Sequence, residues 1–175
     1  MNSSQRHDTM SMHTQAQRTP LGLYTAEERK RRDATIWTPV QGVLAPVQFV
    51  VFLVSLGLVL RYLATGEGYV IATWSIVVKT GVLYVIMVTG AIWEKVVFGQ
   101  YLLAPAFFWE DVFSFLVIGL HTAYLWALFS GALAPEPLIL LALAAYAAYV
   151  INAVQFVLKL RAARLQATTL SEAAA

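Results

Sequence analysis

Lys79, Glu94, Glu110, Asp111 and His121 stand within or beside long apolar stretches of the sequence, together with the amides Gln48, Asn152 and Gln155. An ionisable group inside a membrane span costs roughly 2.5 to 3.5 kcal/mol on insertion scales, so each needs a partner, a water-filled cavity or a ligand. Lys79 and His121 both fall near the middle of their apolar runs. On antiparallel neighbours they share one depth and can face one pocket. Lys79 reads either as a functional amine or as a long stem that snorkels or forms a structural pair. His121 reads either as an interhelical hydrogen bond or as an imidazole that ligates a metal or shuttles a proton.

The carboxylates lie closer to the ends of their runs, where water lowers the insertion cost. Glu110 and Asp111 open an apolar run, where a negative charge meets the positive end of a helix dipole. Set against Phe107, Phe108 and Trp109, they also have surroundings that suit a general acid. Glu110, Ser114, Val117 and His121 follow the spacing of one helix face. At 1.5 Å per residue Glu110 and His121 are about 16 Å apart along the axis, too far to touch but able to address opposite ends of one large ligand. Gln48, Asn152 and Gln155 form a further polar set whose ordinary role is to join helices. Gly81, Gly90 and Gly119 either let backbones approach or leave room for a flat ligand.

These residues need apolar helices to position them. The chain has 175 residues, 59% hydrophobic and 13% charged, too apolar for a soluble domain of this size. It contains no cysteine, which excludes thiol chemistry, iron–sulfur clusters and cysteine-ligated zinc. The net charge of +2 and the placement of basic residues at the ends of apolar runs give no nucleic-acid signature. The expected fold is all-α and polytopic, with four transmembrane helices over about residues 40–62, 69–92, 107–133 and 138–160 within a domain of residues 36–165. Pro46 near the start of the first span requires a kink or a covering neighbour. Pro135 and Pro137 predict a short turn.

Residues 1–35 read as a polar, disordered tail ending in the charged run Glu27 to Asp33, without the apolar core of a cleavable signal peptide. Residues 166–175 read as a second disordered tail. Arg29, Lys30, Arg31, Arg32, Lys95, Lys159, Arg161 and Arg164 fall on one side of such a bundle, against Arg61 on the other. That bias predicts cytoplasmic N and C termini. Trp37, Tyr69, Trp93, Tyr101 and Trp109 fall near the span ends, as interfacial anchors do.

Several segments resemble a known family. Leu23 to Arg29, Arg32 to Thr35, Val40 to Phe49, Trp93-Glu94-Lys95, Ala104 to Asp111 and Tyr149 to Leu160 are similar to the 3-vinyl (bacterio)chlorophyllide hydratases of phototrophic bacteria, formerly called 2-vinyl bacteriochlorophyllide hydratases. The similarity runs from about Leu23 to Gln166. It implies addition of water to the 3-vinyl group of chlorophyllide a, or a related chlorin, in bacteriochlorophyll synthesis in the bacterial inner membrane. It implies no cofactor beyond the magnesium that the chlorin carries, and no metal site of the protein's own. The expected reaction is acid-catalysed. A proton goes to the terminal CH₂, the resulting cation is delocalised into the macrocycle, and water adds at the ring-attached carbon.

With that chemistry, Glu110 or Asp111 is the expected acid, and Glu94 orients water. His121 or Gln48 holds the magnesium or the ring periphery, with Lys79, Asn152 and Trp109 as further substrate-binding residues. Two other readings use the same residues: a non-catalytic tetrapyrrole carrier or assembly factor, and a small transporter subunit. The lipid bilayer is the required surrounding, other enzymes of the pathway are candidate neighbours, and oligomerisation stays open because four helices are few to enclose a chlorin.

Overall fold

The protein is described by a computed structural model, which covers residues 23–173. Five helices and no strands occur among the described residues: α1 (Ala26–Ala34), α2 (Trp37–Thr65), α3 (Tyr69–Phe98), α4 (Phe108–Ser130) and α5 (Pro135–Ala173). Four are long and apolar enough to cross a membrane: α2, α3, α4 and the Pro135–Ala162 part of α5. The expected all-α class and four helices long and apolar enough to span a membrane are therefore observed among the described residues.

The boundaries differ from expectation in instructive ways. α2 and α3 run past their apolar stretches because a helix keeps its backbone hydrogen-bonded through the interfacial region. α2 passes through Pro46 without interruption. It ends at Gly66 and α3 at Gly99, both in the left-handed conformation that glycine adopts without penalty, with φ of 73° and 86°. The turn expected at Pro135 and Pro137 is instead the first turn of α5, where a missing N–H leaves no hydrogen bond unmade.

Both expected tails also need correction. Residues 1–22 and 174–175 lie outside the described residues. Within the N-terminal segment, however, the charged run forms α1, started by a capping box: Glu28 N–H donates to Thr25 Oγ1 at 3.3 Å and Thr25 N–H to Glu28 Oε2 at 2.7 Å. Acidic residues occupy its first turn and Arg31 and Arg32 its last, matching the helix dipole. At the other end α5 continues to Ala173 through residues of good helix propensity.

Short connections make α2–α3 and α4–α5 two antiparallel hairpins, each packed chiefly within itself, and α1 lies against α3. The core between the hairpins is small and aromatic. Phe52 of α2 meets Tyr146 and Tyr149 of α5 at centroid distances of 5.3 and 4.9 Å. Large apolar side chains such as Phe49, Leu53, Val88, Leu116, Trp126 and Phe129 face outward, as a bilayer requires. Gly81 and Gly119 face open space, so they mediate no close backbone approach, and Gly90 meets only the Gln41 side chain, at 3.8 Å.

Candidate active site

The up-down order of α2 to α5 brings the start of α2, the end of α3, the start of α4 and the last turns of the α5 span to one end of the bundle. Between α3 and α4 the connection includes Leu103, whose φ of 60° is uncommon for a residue other than glycine. This conformation aims backbone donors inward. Leu103 N–H donates to Asp111 Oδ2 at 2.6 Å, and Ala104 N–H to Glu94 Oε2 at 3.4 Å. The side chains of Glu94 and Asp111 also lie close enough to interact with each other. Both are buried, and two carboxyl groups at such close quarters attract only when one of them carries a proton, which suits the pair to holding one.

Glu110 has a different partner. Lys159 of α5 donates to Glu110 Oε2 at 2.6 Å, and its ammonium also lies 5.1 Å from the centre of the Phe107 ring. The adjacent carboxylates on α4 are thus sorted: Glu110 is ion-paired with Lys159, whereas Asp111 is turned toward Glu94. Ser114, one turn further along α4, donates to the Glu110 carbonyl at 2.9 Å and accepts from Asn152 Nδ2 at 2.8 Å.

An aromatic cover closes this end. Phe107 contacts Tyr24, Trp93, Phe98 and Phe156 at centroid distances of 5.7 to 6.4 Å. Tyr24 stacks on Phe98 and carries the Arg32 guanidinium 4.8 Å from its ring centre. Thr38 ties α1 and α3 together, donating to the Arg32 carbonyl at 2.6 Å and accepting from Trp93 Nε1 at 3.0 Å. Burial pushes the Tyr24 hydroxyl above its ordinary value of 10.0, with Arg32 pulling the other way.

A second polar cluster sits deeper. Lys79 Nζ lies 2.5 Å from His121 Nε2, while His121 Nδ1 donates to the Val117 carbonyl at 2.7 Å. The imidazole is therefore protonated on Nδ1 and accepts from Lys79 on Nε2. The Lys79 ammonium also lies 4.3 Å from the Tyr149 ring centre and 5.2 Å from that of Tyr146. Lys79 and His121 have 0% exposure. They share one depth as expected, but each completes the other.

Comparison with known proteins gives the arrangement its context. Residues 24–162 match the family model described as 2-vinyl bacteriochlorophyllide hydratase. The chain belongs to the 2-vinyl bacteriochlorophyllide hydratase family. It is 74% identical over 144 residues to the 2-vinyl bacteriochlorophyllide hydratase of Cereibacter sphaeroides, covering 82% of this chain and 89% of that one. It is 71% identical over 148 residues to the protein of the same name from Rhodobacter capsulatus, covering 84% and 85%. No solved structure matches.

Within this family member, the residues expected to form a site fall into three places. Glu94, Glu110 and Asp111 converge at one end of the bundle with Asn152 one turn below, Lys79 and His121 pair deeper, and Gln48 is buried on α2. Trp109 is the exception, being 67% exposed with its ring against Phe108. It stands on the outer surface, in the position of an interfacial anchor. Trp93, expected as an anchor too, is instead bonded into the aromatic cover.

For His121 as a magnesium ligand, the geometry offers no free ring nitrogen. Sequence reasoning missed Lys159 as the partner of Glu110, having read it only as an orientation signal. It also missed the donors of Leu103 and Ala104, for which the sequence carries no side-chain signal.

Proposed function

We propose that this chain adds water to the vinyl group of a chlorophyllide, converting it to a 1-hydroxyethyl group, with the Glu94–Asp111 pair as the acid. The buried Glu94–Asp111 pair, each carboxyl group held by a backbone N–H of the same loop, is the observation that supports this reading. Protonating an unconjugated alkene is difficult, but a vinyl group on a chlorin yields a cation that the macrocycle delocalises. The Asp111–Glu94 proton goes to the terminal CH₂, whose π electrons form the new C–H bond. Water adds to the cationic carbon, and its surplus proton returns the pair to its starting state. Net hydration neither oxidises nor reduces the substrate, so no redox cofactor is called for, and the magnesium arrives with the chlorin.

Glu110, held as an anion by Lys159, supports the reaction by placing negative charge near the developing cation. Lys79 and His121 act as a structural pair that joins the hairpins. The flat apolar macrocycle lies against the bundle between the hairpins, below the aromatic cover. The basic segment of α1, Lys95 and Lys159 gather at the end that carries the carboxylates. This favours cytoplasmic termini and a site at the cytoplasmic face of the bacterial inner membrane, where other enzymes of the pathway would take up the product.

The test is to incubate the purified full chain in lipid nanodiscs with chlorophyllide a in heavy-oxygen water. Expected is the hydroxyethyl product carrying one heavy oxygen. Recovery of bound, unchanged pigment would make the protein a carrier and overturn the reading.

A further inference from the structure

The α2–α5 interface repeats at one-turn intervals. Ser55 bonds Tyr146, and one turn nearer the carboxylate end the Phe52 ring packs at a tilt against Tyr149. On antiparallel helices the next step in that register pairs Gln48 with Asn152, four residues before Phe52 and three after Tyr149. Here the pattern of satisfied contacts stops. Gln48 and Asn152 are 2% and 9% exposed, yet Gln48 Nε2 and Oε1 and Asn152 Oδ1 have no hydrogen-bond partner, and neither does Gln155 Oε1 on the following turn of α5. Buried amide atoms are almost always paired, because an unmade hydrogen bond there costs about 1 to 3 kcal/mol.

The open atoms have a definite chemical bias. Three are carbonyl acceptors and one is a donor nitrogen. A carbonyl or carboxylate on the substrate would satisfy only the donor and would leave the acceptors facing another acceptor. A molecule that donates two hydrogens and accepts one satisfies the three open atoms of Gln48 and Asn152, and the reactant of a hydration is such a molecule. Asn152 is oriented by its other end, through Nδ2 to Ser114 at 2.8 Å. Ser114 lies three residues beyond Asp111, placing the amides about one turn, roughly 5 Å, deeper than the acid. Acid and nucleophile must address neighbouring carbons of the vinyl group, and that separation suits them.

We propose that Gln48 and Asn152 hold the nucleophilic water, their carbonyl oxygens accepting its two hydrogens so that a lone pair faces the cationic carbon. The assignment rests on the hydratase reading, and it moves the water from Glu94, whose contacts are taken up by Asp111 and Ala104, to the amides. The bonds balance as in the reaction above: the water oxygen forms the C–O bond, and the proton released passes to the carboxylate left by the acid.

The test uses competition between nucleophiles in the full-length protein in nanodiscs. Gln48→Met keeps the volume and removes both polar atoms, whereas Asn152→Ala opens space for a larger nucleophile. Each variant is assayed on chlorophyllide a with and without a fixed methanol fraction, and mass spectrometry reads the ratio of methyl ether to alcohol product. Gln48→Met should lower kcat on the order of 100-fold, the loss typical of a misplaced reactant, with KM for the chlorin within two-fold. Asn152→Ala should raise the ether-to-alcohol ratio about ten-fold, a discrimination lost when a small pocket gains room.

An unchanged ratio together with an unchanged kcat–KM balance in both variants, while the parent chain hydrates normally, would overturn the water assignment alone. A parent chain that hydrates nothing would overturn the hydratase reading with it. Should one variant lose its helical thermal transition, the other decides.

Discussion

Replacing Asp111 with Asn separates proton donation from structural support at the carboxyl pair. The amide keeps the shape of the carboxylate. Its oxygen can still accept from Leu103 N–H, a contact of 2.6 Å in the parent, and its nitrogen can donate to Glu94. Since both contacts have a replacement, stability should change by less than about 1 kcal/mol, the net worth of one ordinary hydrogen bond. The amide has no transferable proton, and Glu94 beside it becomes a carboxylate that only accepts. Losing a general acid lowers a rate roughly 10²- to 10⁴-fold, equivalent to about 3 to 5 kcal/mol in the barrier.

Glu110→Gln provides the contrast. It removes the ion pair with Lys159, whose side chain is 26% exposed and can reach water, so a stability loss of about 1 kcal/mol and a rate loss below about ten-fold are expected. The assay is kcat for hydration in nanodiscs, read by the absorption change of the chlorin, alongside a thermal transition for each variant. If Asp111→Asn stays within about ten-fold of the parent while Glu110→Gln loses on the order of 100-fold, the proton comes from Glu110 and the reasoning from hydrogen bonding is wrong.

His121→Leu should destabilise the protein by about 3 kcal/mol because it strands the Lys79 ammonium, whereas the double variant Lys79→Met/His121→Leu should recover most of that loss. A chemical-denaturation cycle in detergent measures this, and simple additivity of the two single changes would refute the pairing. Leu103→Gly removes a left-handed conformation worth about 1 kcal/mol and should raise the thermal midpoint slightly while lowering kcat, since the loop then holds Asp111 less firmly; equal or higher activity would show that the backbone donor is dispensable. Burial raises the Tyr24 hydroxyl above 10.0, so the undocked segment ionises first. Stability from its docking is complete at neutral pH and declines as pH rises beyond 10.0. Tyr24→Phe should abolish that alkaline loss in thermal melts, and an identical loss in both proteins would exclude Tyr24 as its source.

The spans and the depth of the polar groups were legible because both depend on local composition. An apolar run long enough to cross a bilayer has few alternatives, and the positions of Lys79 and His121 within their runs follow from counting along two antiparallel helices. What was not legible depends on partner choice across the bundle. Glu110 and Asp111 are adjacent and chemically alike, yet their directions on α4 differ by the angle between successive residues, sending one to Lys159 and the other to Glu94. Trp93 and Trp109 show the same limit: both stand beside a carboxylate near a span end, but the helix rotation points one into the aromatic cover and the other outward. The α1 helix was missed for a different reason. Its charge density suggested solvation, while the capping box and the contacts of Tyr24 and Arg32 supply the order that its own apolar content does not.

A membrane changes which interactions can hold such a bundle together. Lipid tails are as apolar as Leu, so burying Leu between helices gains little, and polar contacts with close packing decide which helices meet. Across the seam between the hairpins the defining contacts are Glu94 with Asp111, Lys79 with His121, and Ser55 with Tyr146. These ties draw on the same kind of group that the proposed chemistry needs. The deeper two can be purely structural because their atoms satisfy one another, whereas the carboxyl pair is suited to hold a transferable proton and the Gln48–Asn152 level retains open acceptors. Chemistry is therefore expected where the polar ties are incomplete or transferable. On this logic, substitutions that complete them with fixed apolar or fully paired groups should stabilise the bundle while slowing hydration.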